Sequence, residues 1–162
     1  MMKTVLFLCT GNYYRSRFAE ELFNVLAPKT CPGWSALSRG VAVDLGAGNV
    51  GPIAAATAQA LRERGVAFDR DAARFPLQLA VEDLDAADHI VALKRAEHLP
   101  LIQARFSAWA ARAAPDRVEY WHVHDIDFAP PHKALPQIEA HVRALMGRLG
   151  GVSLSPQQAG DS

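Results

Sequence analysis

Short apolar runs alternate along the chain with longer stretches of helical character. The apolar runs have the length of buried strands and lie at residues 4–8, 34–37, 89–93 and 118–123. Helical stretches follow them at residues 19–26, 53–64, 99–106 and 135–149. Pro28 is predicted to end the first helix, and Gly65 to cap the second. This alternation predicts an α/β fold, a doubly wound four-stranded parallel sheet with helices on both faces.

The length and the C-terminal composition bear on domain organisation. A chain of 162 residues has the size of one domain, and we see neither an internal repeat nor a linker that would divide it. We therefore expect a single domain over residues 1–149. Residues 150–162 are small and polar, and we expect them to form a flexible tail.

Charge and hydropathy exclude several classes of partner. Lys and Arg number 17, as do Asp and Glu, so no net charge draws the protein to nucleic acid or to an anionic membrane. No apolar run approaches the roughly 18 residues of a membrane helix, and the first is too short for a secretory leader. The two cysteines are typical of reduced thiols. We expect a cytoplasmic protein that binds neither nucleic acid nor membrane.

The candidate chemistry lies in the first strand-to-helix turn, residues 9–16, which read CTGNYYRS. Free amides at a helix N-terminus bind dianions, and Gly11 and Asn12 tolerate the left-handed backbone that a tight anion cradle needs. The same amides favour the thiolate form of Cys9, and the planar fork of Arg15 can bind two phosphoryl oxygens together. The turn therefore predicts a phosphate-binding loop after the first strand, with Cys9 as a thiolate.

The same turn resembles the active-site signature of the low-molecular-weight protein tyrosine phosphatases, Cys-x-Gly-Asn-x-Cys-Arg-Ser. It matches that signature at Cys9, Gly11, Asn12, Arg15 and Ser16. The resemblance continues to about residue 149. Residues 38–40 resemble the Ser-Ala-Gly segment after the second strand, residues 83–84 the stretch before the third, and residues 121–125 the acidic loop.

This resemblance implies a phosphomonoester hydrolase, a protein tyrosine phosphatase that works through a phosphocysteine without metal or other cofactor. Cys9 would attack phosphorus, Arg15 would stabilise the phosphoryl oxygens, and Asp125 would act as general acid, with Asp127 as the alternative acid. Ser38 would support the loop. The remaining loop residues would surround the phosphate: Thr10, Gly11, Asn12, Tyr13, Tyr14 and Ser16. The implied partners are phosphotyrosine proteins or small aryl phosphates, with oxyanions such as phosphate as inhibitors.

Four departures from the family pattern leave alternatives open. Tyr14 replaces the second loop cysteine, Tyr13 replaces a smaller residue, Arg17 replaces proline, and the Asp-Pro pair of the acidic loop becomes residues 125–128, Asp-Ile-Asp-Phe. Within that segment Phe128 is a candidate aromatic wall for a phenyl ring.

The altered acidic loop keeps a non-catalytic phosphate- or phosphopeptide-binding module open. Within the fold, an arginine-phosphate phosphatase and an arsenate reductase-like enzyme are also open. A reductase needs two further cysteines, and Cys31 is the one that remains. His122 and His124, beside Asp125, leave a weak metal-site alternative.

Overall fold

Four parallel strands form the central sheet of the computed structural model, which describes residues 2–151. They are β1 (Lys3–Cys9), β2 (Trp34–Gly40), β3 (His89–Ala92) and β4 (Val118–Tyr120), in the spatial order β2-β1-β3-β4. Six α-helices cover the sheet: α1 (Arg15–Thr30), α2 (Ala55–Glu63), α3 (Val81–Ala86), α4 (Arg95–Arg105), α5 (Ser107–Arg112) and α6 (Pro131–Leu149). The predicted α/β fold with an all-parallel four-stranded sheet is confirmed.

The central strand β1 is buried on both faces, which explains its unbroken apolar sequence. Val5 and Phe7 belong to the core that includes side chains of α1, α2 and α6. Leu6 and Leu8 point the other way, into the core that includes side chains of α3, α4 and α5. The helices therefore lie on both faces, as the sequence predicts.

The order of the strands fixes where a ligand site can form. From β1 the chain crosses to β2 on one side and then to β3 on the other side of β1. From β3 the chain continues to β4, on the side away from β1. The loops that leave the carboxyl ends of the neighbouring strands β1 and β3 therefore run in opposite directions and open a crevice between them. The sheet thus brings the segment after Cys9, the start of α4 and the segment after β4 to one edge.

Several element boundaries differ from the sequence prediction. Helix α1 continues two residues past Pro28, because a proline in the last turn removes a single helical hydrogen bond and Cys31 N still donates to Ala27 O at 2.9 Å. Strand β3 ends at Ala92 and β4 at Tyr120, before their predicted ends at residues 93 and 123, although Val123 N still donates to Leu93 O at 2.9 Å beyond them.

Helices α3 and α5 were missed in the sequence because six residues are too few to show helical periodicity. Conversely, α6 begins at Pro131, four residues before the predicted start. Proline is favoured in the first helical turn, where its missing N–H has no partner in any case.

The predicted flexible tail falls mainly on residues 152–162, which lie outside the described residues. In the part of the chain that is described, none of the helices is both long and apolar enough to cross a membrane.

Candidate active site

The predicted phosphate-binding loop connects β1 to α1, with Cys9 as the last residue of the strand. The Cys9 side chain is buried, and its Sγ lies 2.8 Å from the Oγ of Ser16 in the first turn of α1. Of the two residues expected from the sequence to tolerate a left-handed backbone, Asn12 adopts it, with a φ of 51°, whereas Gly11 does not. A hydroxyl thus lies within hydrogen-bond distance of the candidate nucleophile, where it can stabilise a thiolate.

The side chain of Asn12 holds the loop in this conformation. Its Nδ2 donates to Ser16 Oγ at 2.9 Å and to Ser38 Oγ at 2.8 Å. Its Oδ1 accepts from Arg74 Nη1 at 3.0 Å and from the backbone N of Leu77 at 3.1 Å. Ser38 therefore lies where the predicted supporting role requires. Arg74 was missed because it lies in a segment without recognisable periodicity.

Close packing of the backbone also shapes the loop. A Cβ on Gly40, at the end of β2, would lie 2.8 Å from Thr10 O and 3.1 Å from Asn12 N. A glycine is thus required at position 40 for the second strand to approach the loop this closely. Gly40 is the last residue of the segment 38–40 that resembles Ser-Ala-Gly.

Arg15 is almost fully buried, with 2% of its side chain exposed. Its Nη1 donates to Val123 O at 2.9 Å, and its Nη2 donates to Glu97 Oε2 at 2.7 Å and lies 3.7 Å from Asp125 Oδ2. Burial opposes the charged form, yet the neighbouring Cys9, Glu97 and Asp125 raise the pKa of Arg15. The guanidinium is therefore a fixed cation between the loop and the acidic segment.

Glu97, near the start of α4, is a site residue that the sequence reasoning missed. Besides Arg15, its Oε2 accepts from the hydroxyl of Thr10, and the Nε2 of buried His98 lies 3.1 Å away. His98 Nδ1 accepts from Lys94 N at 3.0 Å, so the ring proton is on Nε2 and points to the carboxylate. Burial raises the pKa of Glu97, but these three donors overcome that effect and hold it far below its usual range.

Asp125 and Asp127 both line the pocket in front of Cys9 and Arg15, so the structure brings together both predicted candidates for the acid. Asp125 lies next to Arg15, and its Oδ1 accepts from the backbone N of Ile126 at 2.9 Å. Phe128 is 75% exposed and packs against Lys94 and His124 outside this pocket. The proposed aromatic wall at Phe128 is thus absent from the pocket.

Two tyrosines of the loop form part of the pocket wall. The Tyr13 hydroxyl donates to Val50 O, which fixes the ring against the segment after β2. Among residues 2–151 the buried Tyr14 hydroxyl has no hydrogen-bond partner, and burial together with the charge of Asp125 raises its pKa to about 12. Leu45 and Ile126 add apolar surface, so the pocket has a polar floor and partly apolar walls.

The weak metal-site alternative rested on His122 and His124. Their rings are 4.8 Å apart, and His124 Nδ1 is 2.9 Å from Lys94 Nζ, a cation that competes with a metal ion. Across residues 2–151, no three His, Cys, Asp or Glu side chains gather closely enough to hold a metal ion.

Comparison with known proteins identifies relatives of the whole fold. A family model described as low molecular weight phosphotyrosine protein phosphatase matches residues 4–150. The low molecular weight protein-tyrosine-phosphatase YfkJ of Bacillus subtilis (strain 168) is 37% identical over 93 residues, which make up 57% of this chain and 56% of that relative. The match therefore spans little more than half the length of this curated relative.

Solved structures share the fold at lower identity. The crystal structure of YfkJ has a TM-score of 0.67 at 24% identity, covering 92% of both chains. Vibrio vulnificus Wzb in complex with benzylphosphonate has a TM-score of 0.71 at 18% identity, covering 92% of this chain and 100% of that one. The YwlE arginine phosphatase from Geobacillus stearothermophilus has a TM-score of 0.64 at 24% identity, covering 97% and 96%.

Proposed function

Since the chain belongs to the low molecular weight phosphotyrosine protein phosphatase family, we propose that it hydrolyses phosphomonoesters of tyrosine through a phosphocysteine at Cys9. The observation that carries this proposal is that Cys9, Arg15 and Asp125 line one pocket at the carboxyl edge of the sheet. A thiol, a fixed guanidinium and a carboxylic acid are the three groups that such a reaction requires.

In the first step the Cys9 thiolate attacks phosphorus as the bond to the phenolic oxygen breaks. The hydroxyl of Ser16, 2.8 Å from Sγ, donates to the thiolate, and Arg15 balances charge on the phosphoryl oxygens. Asp125, as the carboxylic acid, gives its proton to the leaving oxygen. This proton is needed because tyrosine has a pKa of about 10 and its phenolate leaves poorly.

In the second step the Asp125 carboxylate takes a proton from water while the water oxygen attacks phosphorus. The phosphorus–sulfur bond breaks, which releases phosphate and regenerates the Cys9 thiolate. No step needs a metal or a redox partner, and the relay of cysteines that arsenate reduction would need has only Cys31 to draw on.

The pocket walls favour an aryl phosphate over phosphoarginine. Tyr13, held by its hydrogen bond to Val50 O, lines the pocket, and Leu45 and Ile126 contribute apolar contact. These groups suit a phenyl ring, whereas a guanidinium group would lose hydration against them. We expect higher kcat/KM on a phosphotyrosine peptide than on the phosphoarginine peptide of the same sequence, measured in buffer with a metal chelator.

Two matched substitutions test the assignment of the acid. Asp125→Asn should slow phosphotyrosine hydrolysis by about 10²–10⁴-fold, the usual contribution of general acid catalysis, and should cost far less with an acidic phenol as leaving group. Asp127→Asn should cause a small loss that does not depend on the leaving group. A steep dependence in Asp127→Asn with a flat one in Asp125→Asn would reverse the assignment.

The non-catalytic alternative has its own signature in the same experiment. A phosphate- or phosphopeptide-binding module would bind phosphotyrosine peptide without turnover in the wild type. Phosphate release that disappears in Cys9→Ser, while phosphate still binds, would instead support the enzyme.

A further inference from the structure

Arg17, in the first turn of α1, is buried directly behind the phosphate-binding loop, with 1% of its surface exposed. Its Nη1 donates to Asn12 O at 3.3 Å and to Pro52 O at 3.0 Å, and its Nη2 donates to Arg74 O at 2.7 Å. Every acceptor that it reaches within residues 2–151 is a backbone carbonyl oxygen. The guanidinium thus ties the loop to two other segments without contacting a carboxylate.

A buried cation that contacts only backbone carbonyls is energetically costly, so its presence behind the loop points to a use for its charge. Burial and the nearby Arg74 lower the pKa of Arg17 to about 10, so the side chain is still protonated at neutral pH. Its positive charge is therefore present whenever a phosphate enters the loop.

The charges in front of the loop make this cation more important. Arg15 is already engaged by Glu97 and lies close to Asp125. Once Cys9 is a thiolate, the Glu97 carboxylate and the thiolate outnumber the single guanidinium, even when Asp125 carries the proton that it later gives to the leaving oxygen. A phosphate dianion entering the pocket therefore needs positive charge from elsewhere.

Behind the loop the positive charges lie closer to the loop than the negative charges do. Arg17 and Arg74 both bond directly to Asn12, through its carbonyl and its side chain. Glu20 does not contact Asn12 itself but accepts hydrogen bonds from Arg74 and Ser38, which do. The positive side of this cluster thus faces the loop, and Glu20 and Glu21 balance it from behind.

We propose that Arg17 is a positioning residue of the phosphate-binding loop, whose buried positive charge strengthens oxyanion binding in front of Cys9. The proposal rests on the assignment of residues 9–16 as the phosphate-binding loop. It assigns a role to a position where the chain departs from the family pattern, which usually has proline there.

The test compares neutral and charged replacements. Arg17→Gln and Arg17→Pro remove the charge, and Pro is tolerated in the first turn of a helix, which protects the test against a folding failure of Arg17→Gln. Arg17→Lys keeps the charge. Arg70→Gln is the matched control. Arg70 donates to Ile53 O at 2.8 Å and to Val50 O at 2.9 Å. It therefore holds the same segment, residues 50–53, whose Pro52 O accepts from Arg17, but it does not contact the phosphate-binding loop.

Two readouts report on the charge rather than on packing. The first is the dissociation constant of inorganic phosphate by calorimetry. The second is the ratio of Cys9 alkylation rates by iodoacetate, an anion, and iodoacetamide, its neutral analogue. The ratio cancels changes in thiol reactivity and accessibility that affect both reagents, and Cys9→Ser supplies the background from Cys31.

Both neutral variants should bind phosphate about tenfold more weakly and lower the alkylation ratio by a similar factor, as expected for a charge acting through a partly buried region. Arg17→Lys and Arg70→Gln should each stay within about twofold of wild type on both measures. Wild-type values in the neutral variants, or a loss in Arg17→Lys as large as in Arg17→Gln, would overturn the proposal. A wild-type protein that binds no phosphate would instead overturn the loop assignment itself.

Discussion

Replacing Glu97 by glutamine tests the network that fixes Arg15. The carboxylate oxygen Oε2 accepts hydrogen bonds from three side chains, those of Arg15, Thr10 and His98. A glutamine carbonyl oxygen has two lone pairs and no charge, so at least one of these donors loses its acceptor. Each buried donor without a partner costs about 1–3 kcal/mol, and the charge-assisted bond to Arg15 is weakened as well.

The exposure of Glu97 sets the expected size of the effect. A quarter of its side chain is exposed, so water compensates part of the loss. We therefore expect the free energy of unfolding to fall by about 2–4 kcal/mol at pH 7, below the full cost of breaking a buried ion pair. Because Arg15 is then held mainly by its bond to Val123 O, its position is less well defined, and kcat on phosphotyrosine should fall by about 10–100-fold.

The stability difference should also depend on pH in a defined direction. The contacts lower the pKa of Glu97 in the folded state, so its contribution is complete above the unfolded value of about 4.3 and is lost as the pH falls through the folded value. Urea unfolding of wild type and Glu97→Gln at pH 7 and at several values below 4 measures this. The gap between the two proteins should narrow towards low pH.

Glu119→Gln provides a matched control for the Glu97 experiment. Burial opposes ionisation of Glu119, but its contacts with His89, Arg148 and Trp121 lower its pKa to about 2, and it lies outside the pocket. This variant should lose stability with the same pH dependence but retain phosphate affinity. A stability loss below about 0.5 kcal/mol in Glu97→Gln, the range of ordinary surface substitutions, or a gap that stays constant towards low pH, would refute the reasoning.

Three further substitutions test separate parts of the site. Arg15→Lys should lower kcat/KM on phosphotyrosine by about 100-fold or more, because an ammonium cannot hold two phosphoryl oxygens as a planar fork, and near-normal kinetics would show that the fork is unused. Tyr14→Phe should raise the free energy of unfolding by about 1 kcal/mol, because it removes a buried hydroxyl without a partner, and a lower midpoint in urea would show that the hydroxyl is bonded. Gly40→Ala should lower stability by about 1–3 kcal/mol and weaken phosphate binding, because the added Cβ would lie 2.8 Å from Thr10 O, and calorimetry showing unchanged phosphate affinity would contradict that account.

The fold could be predicted from the sequence because the patterns that mark its strands and its phosphate-binding loop are local. Each apolar run that became a strand is short and bounded, and the run at β1 is unbroken because both faces of that strand are buried. The cysteine, arginine and left-handed Asn12 are likewise found within one continuous turn. Short helices such as α3 and α5 gave no such signal.

The support of Arg15 was missed because it depends on contacts that are distant in the sequence. Glu97 and Thr10 are 87 positions apart, and their meeting depends on the crossing of the chain between β1 and β3. A carboxylate in the first turn of the helix that follows β3 was the one available signal, and many helices start with such a residue for capping alone. The prediction for Phe128 was wrong for a local reason. Its position in the sequence suggested a pocket wall, but the turn that begins at Asp125 directs the ring towards solvent.

The most direct test of the central claim is to identify the phosphorylated residue during turnover. Wild-type protein mixed with an excess of an aryl phosphate that has an acidic phenol, then quenched in acid within milliseconds, should carry one phosphoryl group. Mass spectrometry of the proteolysed protein should place that group on Cys9, and Cys9→Ser should show neither a phosphocysteine nor sustained phosphate release. Sustained phosphate release by Cys9→Ser, or a phosphoryl group on another residue during turnover, would contradict the account.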